Sequence, residues 1–106
     1  MASKQSTVDY ILDQLLSINN IKSRKMFGEY ALYCNGKVVA LICNDKLYVK
    51  ITAEGKCFVA DSYCEGYAYK GARVSMLISE DKIDDSEWLS QLILITADNL
   101  PLPKNN

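Results

Sequence analysis

The sequence predicts a two-layer α+β domain in which a five-stranded antiparallel sheet carries helices mainly on one face. An amphipathic helical pattern opens the chain, tight turns join three strand-like runs, and an acidic helix start precedes a second long helical pattern near the end. These observations give the element order α-β-β-β-α-β-β-α, within one domain over residues 1–106.

Apolar residues at helical spacing predict a first helix over about residues 7–18. They are Val8, Ile11, Leu12, Leu15 and Leu16. Ser6 or Thr7 is expected to cap its start. Ordered structure is expected over about residues 6–99, with residues 100–106 as a loose C-terminal tail.

Three strand-like runs follow, over residues 26–34, 37–43 and 46–51. Asn35-Gly36, a pair typical of type I′ hairpin turns, joins the first two, and Asn44-Asp45 joins the second and third. Two-residue turns fix the register of the strands, so the facing partners can be counted from each turn.

This count assigns every side chain of the three strands to one face of the sheet. The face expected to pack against the helices carries Ala31, Tyr33, Val38, Ala40, Ile42, Leu47, Val49 and Ile51. The open face is expected to carry Tyr30, Leu32, Cys34, Lys37, Val39, Leu41, Cys43, Lys46, Tyr48 and Lys50. A β-bulge near Gly28 would exchange the faces over part of the sheet.

The second half of the chain completes the fold. The predicted elements are a weaker helix over residues 52–62 capped by Thr52, strands over 66–69 and 73–78, and a last helix that starts at 84–87 and runs to about Asn99.

Composition argues against catalysis. The chain has no histidine, which removes the commonest general base and the commonest metal ligand. Cys34, Cys43, Cys57 and Cys64 form no C-x-x-C pair, so a zinc or thioredoxin-like site is not expected. The acidic residues at 80–81 and 84–85 are expected to cap helices rather than to bind metal. We therefore expect no enzymatic activity, cofactor, metal or small-molecule substrate.

The sequence also predicts a location. The N-terminus lacks the apolar run of a signal peptide, and no segment approaches the length of a membrane span. The four cysteines are expected to be mainly buried, reduced thiols, as in the cytoplasm. We expect a cytoplasmic protein without a membrane partner.

Two candidate sites emerge. The first is the apolar cluster expected on the open face, Tyr30, Leu32, Val39, Leu41 and Tyr48. Its composition is typical of a protein interface, with a second copy or with another protein. The alternative is a scatter of isolated surface residues, or a surface covered by the chain's own tail.

The second candidate is the basic run Lys22, Arg24 and Lys25, which precedes Met26-Phe27-Gly28. It could contact a phosphate backbone or an acidic protein, or it could be a solvated loop. The net charge of -1 gives no global basic field for nucleic acid. Gly28 opens a strand without a second spaced glycine, so a bulge or a close backbone approach is favoured over a phosphate loop.

Several stretches together resemble the N-terminal domain of TfoX, the bacterial competence regulator. They are residues 24–33 (RKMFGEYALY), the Asn-Gly turn with VVALI, KLYVK at 46–50, YAY at 67–69, RVSM at 73–76 and DSEWL at 85–89. The similarity covers roughly residues 7–98. Glu29 and Ala31 replace glycines that family members usually have in the Met-Phe-Gly motif.

The resemblance implies a bacterial, non-enzymatic regulatory protein with a fold like that of type III secretion chaperones and strand order 1-2-3-5-4. Full-length competence regulators carry a further C-terminal domain, thought to assist DNA work, that this sequence does not include. The sequence therefore favours a regulatory protein-interaction module, with weak nucleic-acid binding through Lys22, Arg24 and Lys25 as the alternative.

Overall fold

A computed structural model describes residues 3–26 and 29–100 of the chain. Within them, four α-helices and one antiparallel sheet form an α+β domain. The helices are α1 (Gln5–Gln14), α2 (Ala53–Val59), α3 (Glu80–Ile83) and α4 (Ser86–Asn99). The strands are β1 (Ile21–Met26), β2 (Glu29–Cys34), β3 (Lys37–Cys43), β4 (Lys46–Val49), β5 (Glu65–Gly66) and β6 (Ser75–Ile78).

The predicted α+β fold with an open antiparallel sheet is confirmed, but the prediction of five strands is wrong. The sheet has six strands in the order β1-β2-β3-β4-β6-β5, so the expected 1-2-3-5-4 order is present with β1 added at one edge. Strand β1 contains the basic run that the sequence left open as a loop, and it pairs with β2 from Ile21 opposite Cys34 to Met26 opposite Glu29. The likeness to secretion chaperones stays a prediction.

Helices α2 and α4, in the second half of the chain, begin at the capping residues that the sequence predicts. The hydroxyl of Thr52 caps α2 by accepting a hydrogen bond from the Gly55 N–H, at 2.9 Å. The Asp85 carboxylate caps α4 by accepting one from the Trp88 N–H, at 3.1 Å. The prediction about Gly28 and the part of the predicted tail at 101–106 lie outside the described residues.

The core lies between the helices and one face of the sheet. Helix α4 occupies the middle of the helical layer and contacts the other three helices as well as β2 and β3. The large side chains of this layer that are fully or almost fully buried include Val8, Ile11, Leu89, Leu92 and Ile93 on the helices and Leu15 just after α1. Leu16, which the helical pattern placed on the same face, is 75% exposed because α1 ends at Gln14.

A β-bulge in β3 decides which side chains of β2 and β3 face the helices. Tyr33 lies opposite Val38, as the turn count predicts, but Leu32 lies opposite Ala40. Val39 therefore has no partner on β2. Such an extra residue exchanges the two faces of the strands on one side of the bulge.

The predicted faces are consequently wrong along β2 and at the start of β3, and right beyond the bulge. The helix-covered core contains Tyr30, Leu32, Cys34 and Val39, which were expected on the open face. Lys37, also expected there, donates from Nζ to the Ala97 carbonyl of α4 at 2.7 Å. The open face instead carries Ala31, Tyr33 and Val38. Beyond the bulge, the pairs Ala40–Val49 and Ile42–Leu47 form as predicted, with Leu41 and Tyr48 on the open face.

The turn between β3 and β4 holds the N-terminal segment in place. Asp45, at φ 61°, accepts hydrogen bonds on Oδ1 from the Lys4 N–H at 2.7 Å and from the Thr7 hydroxyl at 2.9 Å. Thr7 thus bonds to the turn, and α1, which begins at Gln5, has no side-chain cap. The bonds from Lys4 and Thr7 lower the pKa of Asp45.

Glu29 at the start of β2 makes a second connection of this kind. Its carboxylate accepts hydrogen bonds from the Ser3 N–H at 2.8 Å and from the Asn44 N–H at 3.1 Å. Burial alone would raise the pKa of Glu29, but the hydrogen bonds from Ser3 and Asn44 outweigh it and lower the pKa. Two carboxylates with lowered pKa values thus join the N-terminal segment to the sheet.

The corrected register is tested by shortening a side chain that it buries. Leu32→Ala should lower the free energy of unfolding by about 2–5 kcal/mol, because Leu32 is fully buried beneath the helices. The matched change Leu16→Ala should shift it by less than about 0.5 kcal/mol. Urea unfolding followed by circular dichroism measures both, and a Leu32→Ala protein as stable as the parent would contradict the register.

The carboxylate connections predict a loss of stability in acid. A lowered pKa means that the stabilisation is complete above the ordinary values of 3.8 for Asp45 and 4.5 for Glu29, and is lost as the pH falls through the lower folded values. The urea midpoint should therefore fall as the pH is lowered from about 6 to about 3.

Asp45→Asn should make this fall smaller, since asparagine tolerates the positive φ but carries no charge. The control is Asp81→Asn, an exposed carboxylate on α3 that should leave the acid dependence unchanged. If Asp45→Asn retains the whole fall, the carboxylate of Asp45 is not one of its causes.

Candidate functional site

A groove with a volume of about 1090 Å³ lies on the open face of the sheet. The sheet and the ends of its strands contribute Tyr33, Val38, Leu41, Tyr48, Lys50, Ile51 and Ser75. The connection between β5 and β6 contributes Tyr69, Gly71, Ala72, Arg73 and Val74. The bulge creates this groove in part, since it turns Tyr33 and Val38 towards the open face.

The connection between β5 and β6 is shaped by a tight turn. The Ala72 N–H donates to the Tyr69 carbonyl at 3.0 Å, and Gly71 has a φ of 89°, which glycine adopts without strain. Tyr69 is 57% exposed and also lines a smaller cavity of about 270 Å³ beside Leu41 and Cys43. Tyr69 therefore stands between two depressions on the open face.

Tyr48 packs closely against the β5 edge of the sheet. It is only 8% exposed, and a Cβ atom built on Gly66 would lie 3.1 Å from its Cε2 atom and 3.3 Å from the Leu77 Cβ atom. Glycine thus lets β5 approach the aromatic ring. Burial raises the pKa of the Tyr48 phenol, so the ring stays neutral and apolar near neutral pH.

The charges around the groove are basic. Lys50 and Arg73 line it directly, and no Asp or Glu occurs among the described residues that do so. On the neighbouring edge strand, the guanidinium carbon of Arg24 lies 6.0 Å from the centroid of the Tyr33 ring, within the range of a cation–π contact. Lys37 also lines the groove, but its ammonium group is bonded to α4.

The structure divides the predicted interface cluster. Leu32 and Val39 are fully buried under the helices, and Tyr30 is 8% exposed with its hydroxyl donating to Gln5 Oε1 at 3.1 Å. These side chains form part of the core and not of the open face. Leu41, half-buried, and Tyr48 lie in the groove, and their role in an interface stays a prediction.

The predicted basic patch is divided as well. Lys22 and Arg24 are on the open face, since they pair with Tyr33 and Ala31. Lys25 pairs with Tyr30 and therefore belongs to the other face of the edge strand. The three exposed cations do not form one surface.

Sequence reasoning missed Tyr33, Tyr69 and Arg73 as groove residues. Tyr33 was assigned to the wrong face because the bulge is not encoded in the turn residues. Tyr69 and Arg73 were assigned to strands over 66–69 and 73–78, but β5 and β6 are shorter and leave a long connection between them. The turn residue Gly71, close to Tyr67 and Tyr69, was the signal in the sequence that could have indicated a connection there.

Metal-binding clusters, long apolar helices and free thiols are the other features of the chain that bear on function. Within the described ranges, no group of three or more Cys, Asp or Glu side chains is placed to hold a metal ion. Nor is any helix in that part of the chain long and apolar enough to cross a membrane. Cys34 and Cys43 are buried, whereas Cys57 and Cys64 are exposed, contrary to the expectation of mainly buried thiols.

The fold and the groove define a small α+β domain whose sheet leaves one face open beside a basic, tyrosine-lined depression. Comparison with known proteins identifies its family. The family model of the TfoX N-terminal domain matches residues 13–99, and the chain belongs to this family.

Two curated relatives are similar to the chain. An uncharacterised 12.7 kDa protein in the trpE 5′ region of Spirochaeta aurantia is 32% identical over 104 residues, which cover 98% of this chain and 89% of that protein. Protein Sxy of Escherichia coli strain K12 is 26% identical over 88 residues, which cover 78% of this chain and 40% of Sxy. The chain thus matches less than half of the length of Sxy.

The burial of the cysteines predicts two classes of thiol. Burial raises the pKa of the Cys34 and Cys43 thiols, so both are protonated near neutral pH. Cys57 and Cys64 should react rapidly with an aromatic disulfide reagent, while Cys34, which is fully buried in the helix-covered core, should react only after the protein is unfolded in urea. The variant Cys43→Ser/Cys57→Ser/Cys64→Ser, which keeps Cys34, should lack the rapid phase, and rapid reaction of this variant would contradict the register that buries Cys34.

Proposed function

We propose that this chain is a non-catalytic regulatory module that binds a protein partner in the groove on its open sheet face. The observation that carries the proposal is the groove itself, an apolar and aromatic depression of about 1090 Å³ on the side of the sheet that no helix of the described residues covers. Concave surface lined mainly by apolar and aromatic side chains with a few polar groups is the usual form of a binding site.

The composition of the groove supports a protein ligand. Tyrosine and arginine in a surface depression are typical of protein interfaces, where aromatic and arginine side chains contribute most of the binding energy. Leu41 is central because it lines both the large groove and the smaller cavity beside it. Membership of the TfoX N-terminal domain family supports the regulatory part of the proposal.

Weak nucleic-acid binding through Lys22, Arg24 and Lys25 is the alternative, and the geometry favours it less. Lys25 is on the opposite face of β1 from the other two, so the three cations cannot contact one backbone together. A single phosphate backbone contacted by few cations is held weakly at ordinary salt concentration.

Leu41→Glu tests the proposal. A carboxylate in the centre of the groove should reduce partner capture by about tenfold or more, because it places an unpaired charge in the apolar contact. The purified domain is immobilised, exposed to an extract of bacterial cells, and the proteins retained by the parent and by the variant are compared by quantitative mass spectrometry.

The matched control is Leu16→Glu, an equally large change at a side chain that is 75% exposed and far in sequence from the groove residues. It should retain the same proteins as the parent, and circular dichroism should show that both variants are folded. If Leu41→Glu retains them too, the groove is not the binding surface, and if it unfolds the domain, Leu41 is core and the proposal fails.

A further inference from the structure

Charge is distributed unevenly between the two layers of the domain. The helices and their caps carry Asp9, Asp13, Glu54, Asp61, Glu80, Asp81, Asp84, Asp85, Glu87 and Asp98. Among the described residues, the open face of the sheet and the adjoining connection carry Lys22, Arg24, Lys46, Lys50, Lys70 and Arg73, against the one carboxylate of Glu29. The net charge of -1 therefore conceals an acidic helical layer and a basic open face.

The groove concentrates this basic character next to apolar surface. The Lys50 and Arg73 side chains line it. Lys22 and Arg24, on the edge strand β1, lie beside Tyr33 of β2. The carboxylate of Glu29 lies beside the smaller cavity, where it accepts hydrogen bonds from the N–H groups of Ser3 and Asn44, and it does not line the large groove. A ligand in the groove consequently meets more positive than negative charge, beside leucine, valine and tyrosine side chains.

We infer that the occupant of the groove is an acidic polypeptide segment with apolar side chains, and not a second copy of this chain. The inference rests on the proposed function and specifies the partner. Two copies that met through their open faces would bring like charges together, which disfavours association. An acidic segment would pair its carboxylates with Lys50 and Arg73 and insert its apolar side chains beside Leu41.

Single-stranded nucleic acid fits the groove less well. Bases bind such surfaces by stacking on free aromatic faces. The Tyr48 ring is packed against Gly66, and Arg24 lies over the Tyr33 ring, which leaves Tyr69 as the exposed ring among the groove tyrosines of the described residues.

The experiment measures fluorescence anisotropy of a labelled synthetic peptide with the 106-residue chain. The probe is a peptide of about a dozen residues in which pairs of aspartates separate leucine and phenylalanine residues. Three further probes are compared with it: the same peptide with lysine for aspartate, the same peptide with serine for the apolar residues, and an oligothymidylate of similar length.

The first peptide should bind at least about tenfold more tightly than the other three probes, and its affinity should fall between about 50 and about 200 mM salt. Lys50→Glu/Arg73→Glu should weaken binding by about tenfold. The control Lys56→Glu/Lys82→Glu makes the same change of charge on helices and should alter binding by less than about twofold.

Three results would overturn the inference. Tighter binding of the oligothymidylate that is lost in Lys50→Glu/Arg73→Glu would identify nucleic acid as the ligand. A dimer in sedimentation that Leu41→Glu dissociates would identify a second copy. If Lys50→Glu/Arg73→Glu leaves binding unchanged while Leu41→Glu still abolishes partner capture, the proposed function stands, and the inference that the partner is acidic is wrong.

Discussion

The single extra residue in β3 is the constraint on which the rest of the structure depends. Because side chains alternate across a strand, the unpaired Val39 turns Leu32 and Tyr30 under the helices and brings Tyr33 and Val38 to the open face. Without the bulge, Lys37 would point away from α4 and could not bond to Ala97. The composition of both the core and the groove therefore follows from one local irregularity in strand pairing.

Much of the fold could be predicted from the sequence because strong local signals determine it. Helical spacing predicted α1 and α4, the Asn35-Gly36 pair predicted the hairpin of β2 and β3, and Thr52 predicted the start of α2. The register counted from the Asn44-Asp45 turn was also correct, since Ala40 lies opposite Val49 as predicted. The bulge could not be predicted from the sequence. Val39 and Ala40 are both apolar, so the hydrophobic pattern does not show which of them pairs with β2 and which is the extra residue.

The candidate site was less predictable than the fold for a related reason. Leu41 and Tyr48 were assigned correctly because they lie beyond the bulge, but Tyr33 was not. Tyr69 and Arg73 reach the groove from a connection between strands, and no periodicity specifies where such a segment will lie. Net charge was equally uninformative, because acidic helices offset a basic open face in the total.

The edge strand β1 shows how one sequence feature can serve the fold without forming a site. Its backbone groups on the side away from β2 have no strand partner among the described residues, and such an edge invites pairing with another chain. Exposed lysine and arginine side chains on both faces of an edge strand oppose that pairing, and this accounts for Lys25 as well as for Lys22 and Arg24. Charge on the face away from the groove has no use in binding a ligand within it. Protection of the edge thus explains all three residues together, whereas a shared ligand would explain at most the two that flank Tyr33.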